Sequence, residues 1–353
     1  MKPTSTIWLN QMHASQRDVA DLVRTGSSGN VRVLSSHGSD REDIFMTADE
    51  HFLEPREAVG PSFDYAEWAL NTASDNQVAA LLGMRHRKKL IEARDRFAAR
   101  GVRLAAGAVD VDTIDLCDHK DRFTVAMKAR GIPVTETISA DDLDGLKAAI
   151  TEIAATGTEV CVKPAVGVYG RGFWRFVPGL NPFTLFSTID GNEVDPEVYL
   201  EAYARAEAPS RLIVMQYLPG VESSVDCVCD NGIVVAHAVR QKSKDRQTVF
   251  TGGREIDVAR AVASELKLDG LVNVQTKEDA AGTPVLLEVN TRPSGGVGYS
   301  AAAGVNLPLA CARMMLGERV GDTSIPSPVV IRRTDLTYVL PRATAALNGR
   351  DAQ

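Results

Sequence analysis

The chain has 353 residues, a net charge of -7, 44% apolar and 24% charged residues. That length is enough for two or three domains with their own cores, and the acidic balance offers no basic field for nucleic acid. No run of about 18 apolar residues could span a membrane, and Met1 is not followed by a charged-then-apolar signal pattern.

In chain order, Thr6–Leu9 reads as a strand, the segment near Ser15 to Arg24 as a helix, and Val31–Leu34 as a second strand. Phe63–Leu70 has helical spacing, Gln77–Leu82 reads as a short strand, Arg87–Arg100 as a helix and Val102–Ala105 as a strand. This βαβ rhythm predicts a parallel sheet with crossover helices. The loop after the first strand, Asn10-Gln11-Met12-His13, is no G-x-G-x-x-G, so no dinucleotide is expected there.

A domain boundary is expected near Ala108 to Thr113. Asp115–Arg130 reads as one helix stopped by Gly131-Ile132-Pro133, and Leu143–Ala155 as another. Val160–Pro164 and Phe173–Phe176 read as strands around a glycine-rich turn, and Pro182–Ala208 as irregular, then helical. Leu212–Tyr217, Ser224–Cys229 and Ile233–Arg240 read as consecutive strands of one antiparallel sheet. After a helix over Val258–Leu266, Gly270–Gln275 and Val285–Asn290 read as paired strands, and Asn306–Leu316 as a helix. The five cysteines are scattered, and Cys227-Val228-Cys229 lacks the second pair of a zinc site, so all five are expected reduced and mostly buried.

Chemistry concentrates in Pro284 to Gly296, P-V-L-L-E-V-N-T-R-P-S-G-G. Alternate strand residues share a face, so Glu288, Asn290 and Arg292 are expected on one side, Val289 and Thr291 on the other. A carboxylate, an amide oxygen and a guanidinium together suit a hard cation carrying phosphates, with the arginine beside a transferring phosphoryl group. A strand that simply ends in exposed polar residues would look the same. Lys163 closes an apolar strand before Pro164-Ala165-Val166-Gly167-Val168-Tyr169-Gly170-Arg171-Gly172, a loop whose amides could close over phosphates; a glycine-rich hairpin with a snorkelling lysine is the plain alternative. Met215 to Glu222 runs from a strand through Pro219-Gly220 to an acidic residue, suited to adenine and ribose or to a surface turn. Gln275 ends the strand before that of Glu288, and Lys120 opens a helix, where by itself it would pass for a solvated lysine.

Taken in this order, Lys120, Lys163 with its loop, Y-L-P-G-x-E, Asn273-Val274-Gln275 and Glu288-Val289-Asn290-Thr291-Arg292 resemble the ATP-grasp signature, over residues 108 to 320. The stretch Asn273-Val274-Gln275 with Leu287 to Arg292 resembles specifically the carbamoyl-phosphate-synthetase-like and biotin-carboxylase-like branch, and the continuation through Tyr299, Gly304 and Pro308 resembles ATP-grasp proteins encoded near tellurite-resistance operons. The resemblance implies an N-terminal α/β domain over 1–112, of the kind that precedes ATP-grasp modules. It implies a two-lobed module with antiparallel sheets over 113–320, with the lid lobe about 125–212 and the other about 213–320. Residues 321–353 would be an extension.

It also implies roles. Lys120 and Lys163 bind ATP phosphates; Gly170, Arg171 and Gly172 belong to a mobile lid loop; Gln216, Tyr217 and Leu218 line adenine through backbone; Glu222 binds ribose. Gln275, Glu288 and Asn290 hold one or two Mg2+, with Mn2+ able to substitute, and Arg292 faces the reacting phosphate. Arg240 and Ser294, Gly295 and Gly296 are candidate contacts for the acceptor anion, and Lys242–Gly253 a loop that orders over substrate. Met215 departs from the glutamate of many relatives, which predicts reduced nucleobase selectivity. Biotin carboxylation is not expected, because Ser294-Gly295-Gly296 replaces Val-Glu-His. The expected activity is a cytoplasmic ATP-dependent carboxylate–amine ligase acting on small molecules through an acyl phosphate, with a homodimer the usual assembly. A kinase on the same scaffold and a non-catalytic nucleotide-binding protein are the competing readings.

Overall fold

The computed structural model describes residues 5–12, 15–167, 172–187, 191–207, 210–243 and 245–332. The N-terminal rhythm builds β1 (Ser5–Leu9), α1 (Gln16–Gly26), β2 (Val31–His37), α2 (Glu42–Phe45), β3 (Glu50–Leu53), α3 (Tyr65–Asp75), β4 (Val78–Leu82), α4 (Arg87–Glu92), α5 (Arg94–Ala99) and β5 (Arg103–Ala105). The strands form a parallel sheet in the order β3-β2-β1-β4-β5. The order reverses between β1 and β4, the place where open α/β sheets present a crevice. The expected helix over Arg87–Arg100 is two helices, because Ala93 leaves helical geometry at φ -95, ψ 8.

A short β6 (Gly107–Ala108) leads into α6 (Val111–Asp118) and α7 (Lys120–Ala129). These too read as one helix in sequence; an extended His119, φ -113, ψ 95, separates them. The break places the Lys120 amide against the Ala165 carbonyl, at the root of the glycine loop.

The next sheet is β7 (Thr137–Ala140), β8 (Val160–Pro164), β9 (Trp174–Phe176), β10 (Glu193–Val194) and β11 (Leu212–Gln216), in the order β10-β9-β8-β11-β7. It packs on α8 (Leu143–Ala154) and α10 (Pro196–Ala204), with the short α9 (Thr184–Ser187) at its rim. The C-terminal sheet contains β12 (Glu222–Asp230), β13 (Ile233–Lys242), β14 (Gln247–Phe250), β15 (Leu268–Glu278), β16 (Pro284–Asn290) and β17 (Val329–Ile331), in the order β16-β15-β12-β13-β14-β17. Three helices accompany it: α11 (Glu255–Leu266), α12 (Val297–Ala302) and α13 (Leu307–Met315).

Two expectations fail here. The strand over Leu212–Tyr217 does not continue into the sheet of Ser224–Cys229; β11 pairs with β7 and β8, and the chain changes sheets at Pro219-Gly220. A break in the middle of three apolar runs is invisible to periodicity, which registers strands but not their partners. Lys242–Gly253 is not simply a loop, since β14 within it pairs with β13 and β17.

One apolar cluster joins Ile7, Leu9 and Val33 of the N-terminal sheet to Val228, Ala238 and Leu271 of the C-terminal sheet, through α1 and α13. Buried Asp269 of β15 takes Arg94 and Arg103, at 3.0 and 2.6 Å, and ties the same two parts. The middle sheet keeps a core of its own, Leu146, Val162, Phe176 and Val214 among it. Among the described residues, no helix is long and apolar enough to cross a membrane.

Candidate functional site

A cleft of about 540 Å3 separates the middle sheet from the C-terminal sheet. Its hinge end is Cys161, Phe173, Met215, Gln216, Tyr217, Leu218 and Leu287; its other end is Lys120, Lys163, Gln275, Glu288, Asn290 and Arg292, with Ser294 and Gly295 beyond. Glu222 stands on the same wall. Residues from Lys120 to Gly295 thus converge on one cavity. Gly172 is near Pro164, while Gly170 and Arg171 lie outside the described residues.

The polar end follows from strand alternation. Val289 and Thr291 are buried behind β16, and the polar side chains form a chain in front. Asn290 Nδ2 donates to Glu288 Oε1 at 3.2 Å, and Arg292 Nη2 donates to Asn290 Oδ1 at 3.2 Å. Gln275 of β15 is the register partner of Glu288. The pairing shifts at this point: Gln275 faces Glu288, but Thr276 faces Leu286, so Leu287 is an extra residue. Such a bulge re-aims a side chain beside a site, and Leu287 joins Glu288 on the cleft wall instead of pointing away. Strict alternation would put Leu287 on the opposite face, with Val289.

The donor set fits a hard cation. Gln275, Glu288 and Asn290 offer oxygen atoms from adjacent strands, which is Mg2+ rather than zinc chemistry. Only one of the three is anionic, and among the described residues no group of three His, Cys, Asp or Glu side chains could hold a metal. A cation here must therefore bring further oxygens with it, as a nucleotide's phosphates would.

Lys163 points into the cleft from β8, which pairs with Ile213 of β11. Burial depresses its pKa, the Glu288 carboxylate works against that, and Lys120 adds to it. Among the described residues its ammonium has no hydrogen-bond partner. Lys120 Nζ donates to the Gly167 carbonyl at 2.7 Å.

At the hinge, two of three amides are already engaged. Gln216 N donates to Glu136 O at 3.2 Å and Tyr217 N to Glu159 O at 2.7 Å; Leu218 N has no partner among the described residues. The Tyr217 ring lies between cations, Arg175 at 4.6 Å and Lys277 at 4.4 Å from its centroid. Each such contact contributes on the order of 0.5–1 kcal/mol at an exposed site. Met215 and Cys161 form an apolar floor, with the Cys161 thiol pushed up to about 12 by burial. Glu222 accepts from Lys242 Nζ at 2.6 Å.

Arg240 does not line the cleft, against its expected role as an anion contact. It is buried, and its Nε donates to Asp226 Oδ2 at 2.6 Å. Its other nitrogens donate to Gln247 Oε1 at 2.8 Å and Ser294 Oγ at 2.9 Å. Asp226 Oδ1 also accepts from Asn273 Nδ2 at 2.9 Å. Arg240 therefore holds the Ser294 turn from below. Gly296 fits over it only because it lacks a side chain: a Cβ there would lie 2.3 Å from Arg240 Nη1. The Gly296 amide is taken by Ser294 Oγ at 3.2 Å, which leaves Gly295 as the residue of that turn facing open space. The signal missed in sequence was Asp226 itself, a carboxylate between Val225 and Cys227 in the buried run Val225–Cys229; such a residue must be paired.

Asn10, in the loop after β1, does not line the cleft. It is buried, donating to Tyr65 Oη and Arg85 O at 3.1 Å and accepting from Met84 N at 2.6 Å. His13 lies outside the described residues, whereas Asn192, from the irregular segment, does border the cleft.

A family model described as "ATP-grasp in the biosynthetic pathway with Ter operon" matches residues 208–337. The carbamoyl phosphate synthase large chain of Methanosarcina barkeri is 26% identical over 240 residues, 62% of this chain and 21% of that one. That of Methanospirillum hungatei is 24% identical over 315 residues, 83% of this chain and 27% of that one. The chain thus spans about a quarter of the length of these curated relatives. Among solved structures, N5-carboxyaminoimidazole synthetase from Staphylococcus aureus complexed with ADP superposes at TM-score 0.67 with 14% identity, over 95% of this chain and 83% of that one. The biotin carboxylase domain of Hydrogenobacter thermophilus 2-oxoglutarate carboxylase gives 0.60 with 18% identity, over 92% and 72%. The motif order, the sheet arrangement and these matches together support an ATP-grasp superfamily protein.

Proposed function

We propose that this protein is an ATP-dependent ligase that activates a carboxylate as an acyl phosphate and passes the acyl group to an amine, releasing ADP and phosphate. The observation that carries this is the convergence of Lys120, Lys163, Gln275, Glu288, Asn290 and Arg292 on one cleft. Neighbours of the same fold have been solved with ADP, and the 2-oxoglutarate carboxylase domain with MgADP and bicarbonate.

In this reading Lys120 and Lys163 take phosphate oxygens as point charges. Leu218 N, the unengaged hinge amide, reads the base edge, and Glu222 exchanges Lys242 for ribose hydroxyls. Gln275, Glu288 and Asn290 hold Mg2+, which when bound neutralises phosphate charge. Arg292 stabilises charge on the transferring phosphoryl group. The carboxylate attacks the γ-phosphorus in line and ADP leaves; the neutral amine, its ammonium proton first lost to solvent, then attacks the acyl carbon, phosphate leaves with the C–O electron pair, and the remaining extra proton on nitrogen passes to the departing phosphate. No covalent enzyme nucleophile is needed, and positioning with charge neutralisation carries the rate.

The same reading divides the chain at residues 112 and 320 and makes it a cytoplasmic enzyme, in keeping with five buried free thiols. The test is MgATP turnover with pooled amino acids and small carboxylates in the presence of hydroxylamine. ADP with a hydroxamate is expected. ADP without hydroxamate would indicate phosphate transfer to another acceptor, AMP would overturn the mechanism, and nucleotide binding without turnover would favour a non-catalytic role.

A further inference from the structure

A second cavity, of about 370 Å3, opens on the far side of the polar end of the cleft. The two share Lys120, Gly167, Glu288, Asn290 and Arg292 as a common wall. The rest of the second cavity comes from elsewhere: Met84 and Arg87 follow β4 of the N-terminal sheet, Cys117 and Asp118 end α6, and Thr291 backs β16. A molecule held here would meet the phosphoryl end of a nucleotide from the side opposite the base.

Most of its charged groups already have work. Arg87 Nη1 donates to Thr291 O at 2.9 Å and Thr291 Oγ1 at 2.7 Å, fixing the strand between Asn290 and Arg292. Lys120, Glu288 and Arg292 belong to the phosphate and metal end. Asp118 differs. Its side chain is 49% exposed, and its contacts to Arg87 Nη2 are long, 3.3 and 3.4 Å. Beside it, Met84 and Cys117 are apolar, and burial pushes the Cys117 thiol up to about 12, so it stays a neutral surface and not a nucleophile. An acceptor-only carboxylate next to apolar surface, within one small cavity of the reacting phosphate, recognises an ammonium on a compact apolar body.

We infer that the second cavity binds the amine substrate and that Asp118 is the residue that takes its ammonium group. The inference rests on the acyl-phosphate reading for the amine's purpose, but its binding test does not. Propylammonium chloride, propanol and sodium propionate serve as isosteric probes in an NMR-detected titration, with and without Mg2+ and a non-hydrolysable ATP analogue. Wild-type protein should prefer propylammonium. Asp118→Asn should weaken that binding at least about tenfold, the usual effect of losing a hydrogen bond between charged groups. Met84→Trp, which fills the cavity without touching charge, should weaken it as well. Both variants should keep the nucleotide analogue's affinity within about twofold, because neither Asp118 nor Met84 lines the nucleotide cleft itself. Propionate binding better than propylammonium, propylammonium binding no better than propanol, or undiminished affinity in Asp118→Asn would each overturn the assignment. Failure of the analogue to bind wild-type protein would instead remove the ATP reading, and an ammonium preference lost in Asp118→Asn would still stand.

Discussion

At the hinge end, the cleft wall is backbone and apolar side chain: Met215, Leu218, Leu287 and Phe173 around one unengaged amide. At the Glu288 end, it is polar side chain, Asn273 included, with Asp226 and Arg240 buried behind it. The first construction tolerates substitution, because a backbone amide is present whatever residue carries it. The second does not, because Arg292, Asn290 and Glu288 are linked in a chain over the Asp226–Arg240–Asn273 cluster, and removing a member leaves a charge or a polar group unpaired in low dielectric. Function should therefore be far more sensitive to mutation at one end of the cavity than at the other.

The largest expected effect is at Glu288. Glu288→Gln keeps the shape and the hydrogen bond from Asn290 but removes the one anion among the three candidate metal ligands. Turnover, read as ADP release, should fall by about 10³ or more, at or past the upper end for losing one charge-stabilising group. Circular dichroism and thermal unfolding should match the wild type. Wild-type-like turnover would take Glu288 out of the metal site and leave the two ends of the cleft alike.

Next comes the support behind that end. Asp226→Ala strands the Arg240 guanidinium, whose side chain is 3% exposed. Breaking such a pair from one side costs about 3–5 kcal/mol, measurable by chemical denaturation. Ser294 Oγ and Gln247 Oε1 would remain as acceptors for Arg240. A loss below about 1 kcal/mol would place the pair with surface ion pairs and remove the rigidity argument.

The contrast also explains what could be read from sequence. Glu288, Asn290 and Arg292 were legible because a strand imposes a period of two on its side chains, and that period holds through the polar end of β16. Lys163 and Lys120 were legible by order along the chain. Leu287 was not, since a bulge depends on the pairing register of β15 with β16, which no single strand encodes. Arg240 was misplaced for a related reason: alternation gives a face but not what covers it, and the partner, Asp226, lies 14 residues away on the neighbouring strand. The sheet change at Pro219-Gly220 escaped because β11 and β12 have the same apolar character on either side of the turn. Met84, Arg87 and Asp118 escaped because they reach β16 only through the packing of the N-terminal sheet on the rest of the fold.

Lys163 sharpens the comparison through pH. Its ammonium must be charged to meet phosphates, and burial holds its pKa below the ordinary lysine value, with Glu288 as the chief opposing influence. As pH rises, the proton is lost earlier than from an exposed lysine. The alkaline limb of kcat/KM for ATP, which reports free enzyme, should therefore fall below the usual lysine range, with up to about tenfold lost per pH unit above it. Phosphate oxygens raise the pKa once nucleotide is bound, so the limb of kcat should lie higher. Lys163→Arg should erase the limb in both profiles, because a guanidinium does not titrate there. A limb unchanged in Lys163→Arg would assign it to another group.

The smallest effect is expected at Met215, where the hinge end is tested directly. Its side chain is buried on the cleft floor beside Cys161, and its carbonyl accepts from the Cys161 thiol at 3.5 Å. Met215→Leu conserves volume and polarity, so stability should change by less than about 1.5 kcal/mol. The KM for ATP should move by no more than about threefold, since base reading rests on the Leu218 amide, which the substitution does not touch. The ratio of ATP to GTP turnover should be equally indifferent. Met215→Glu is the opposite probe: it supplies a carboxylate acceptor where the base's exocyclic amine would lie, and should raise the preference for ATP over GTP, against the cost of desolvating the new charge. If Met215→Leu alone raised the KM tenfold, side-chain packing and not backbone would be reading the base. The tolerant end of the cleft would then be as tightly specified as the end built around Glu288.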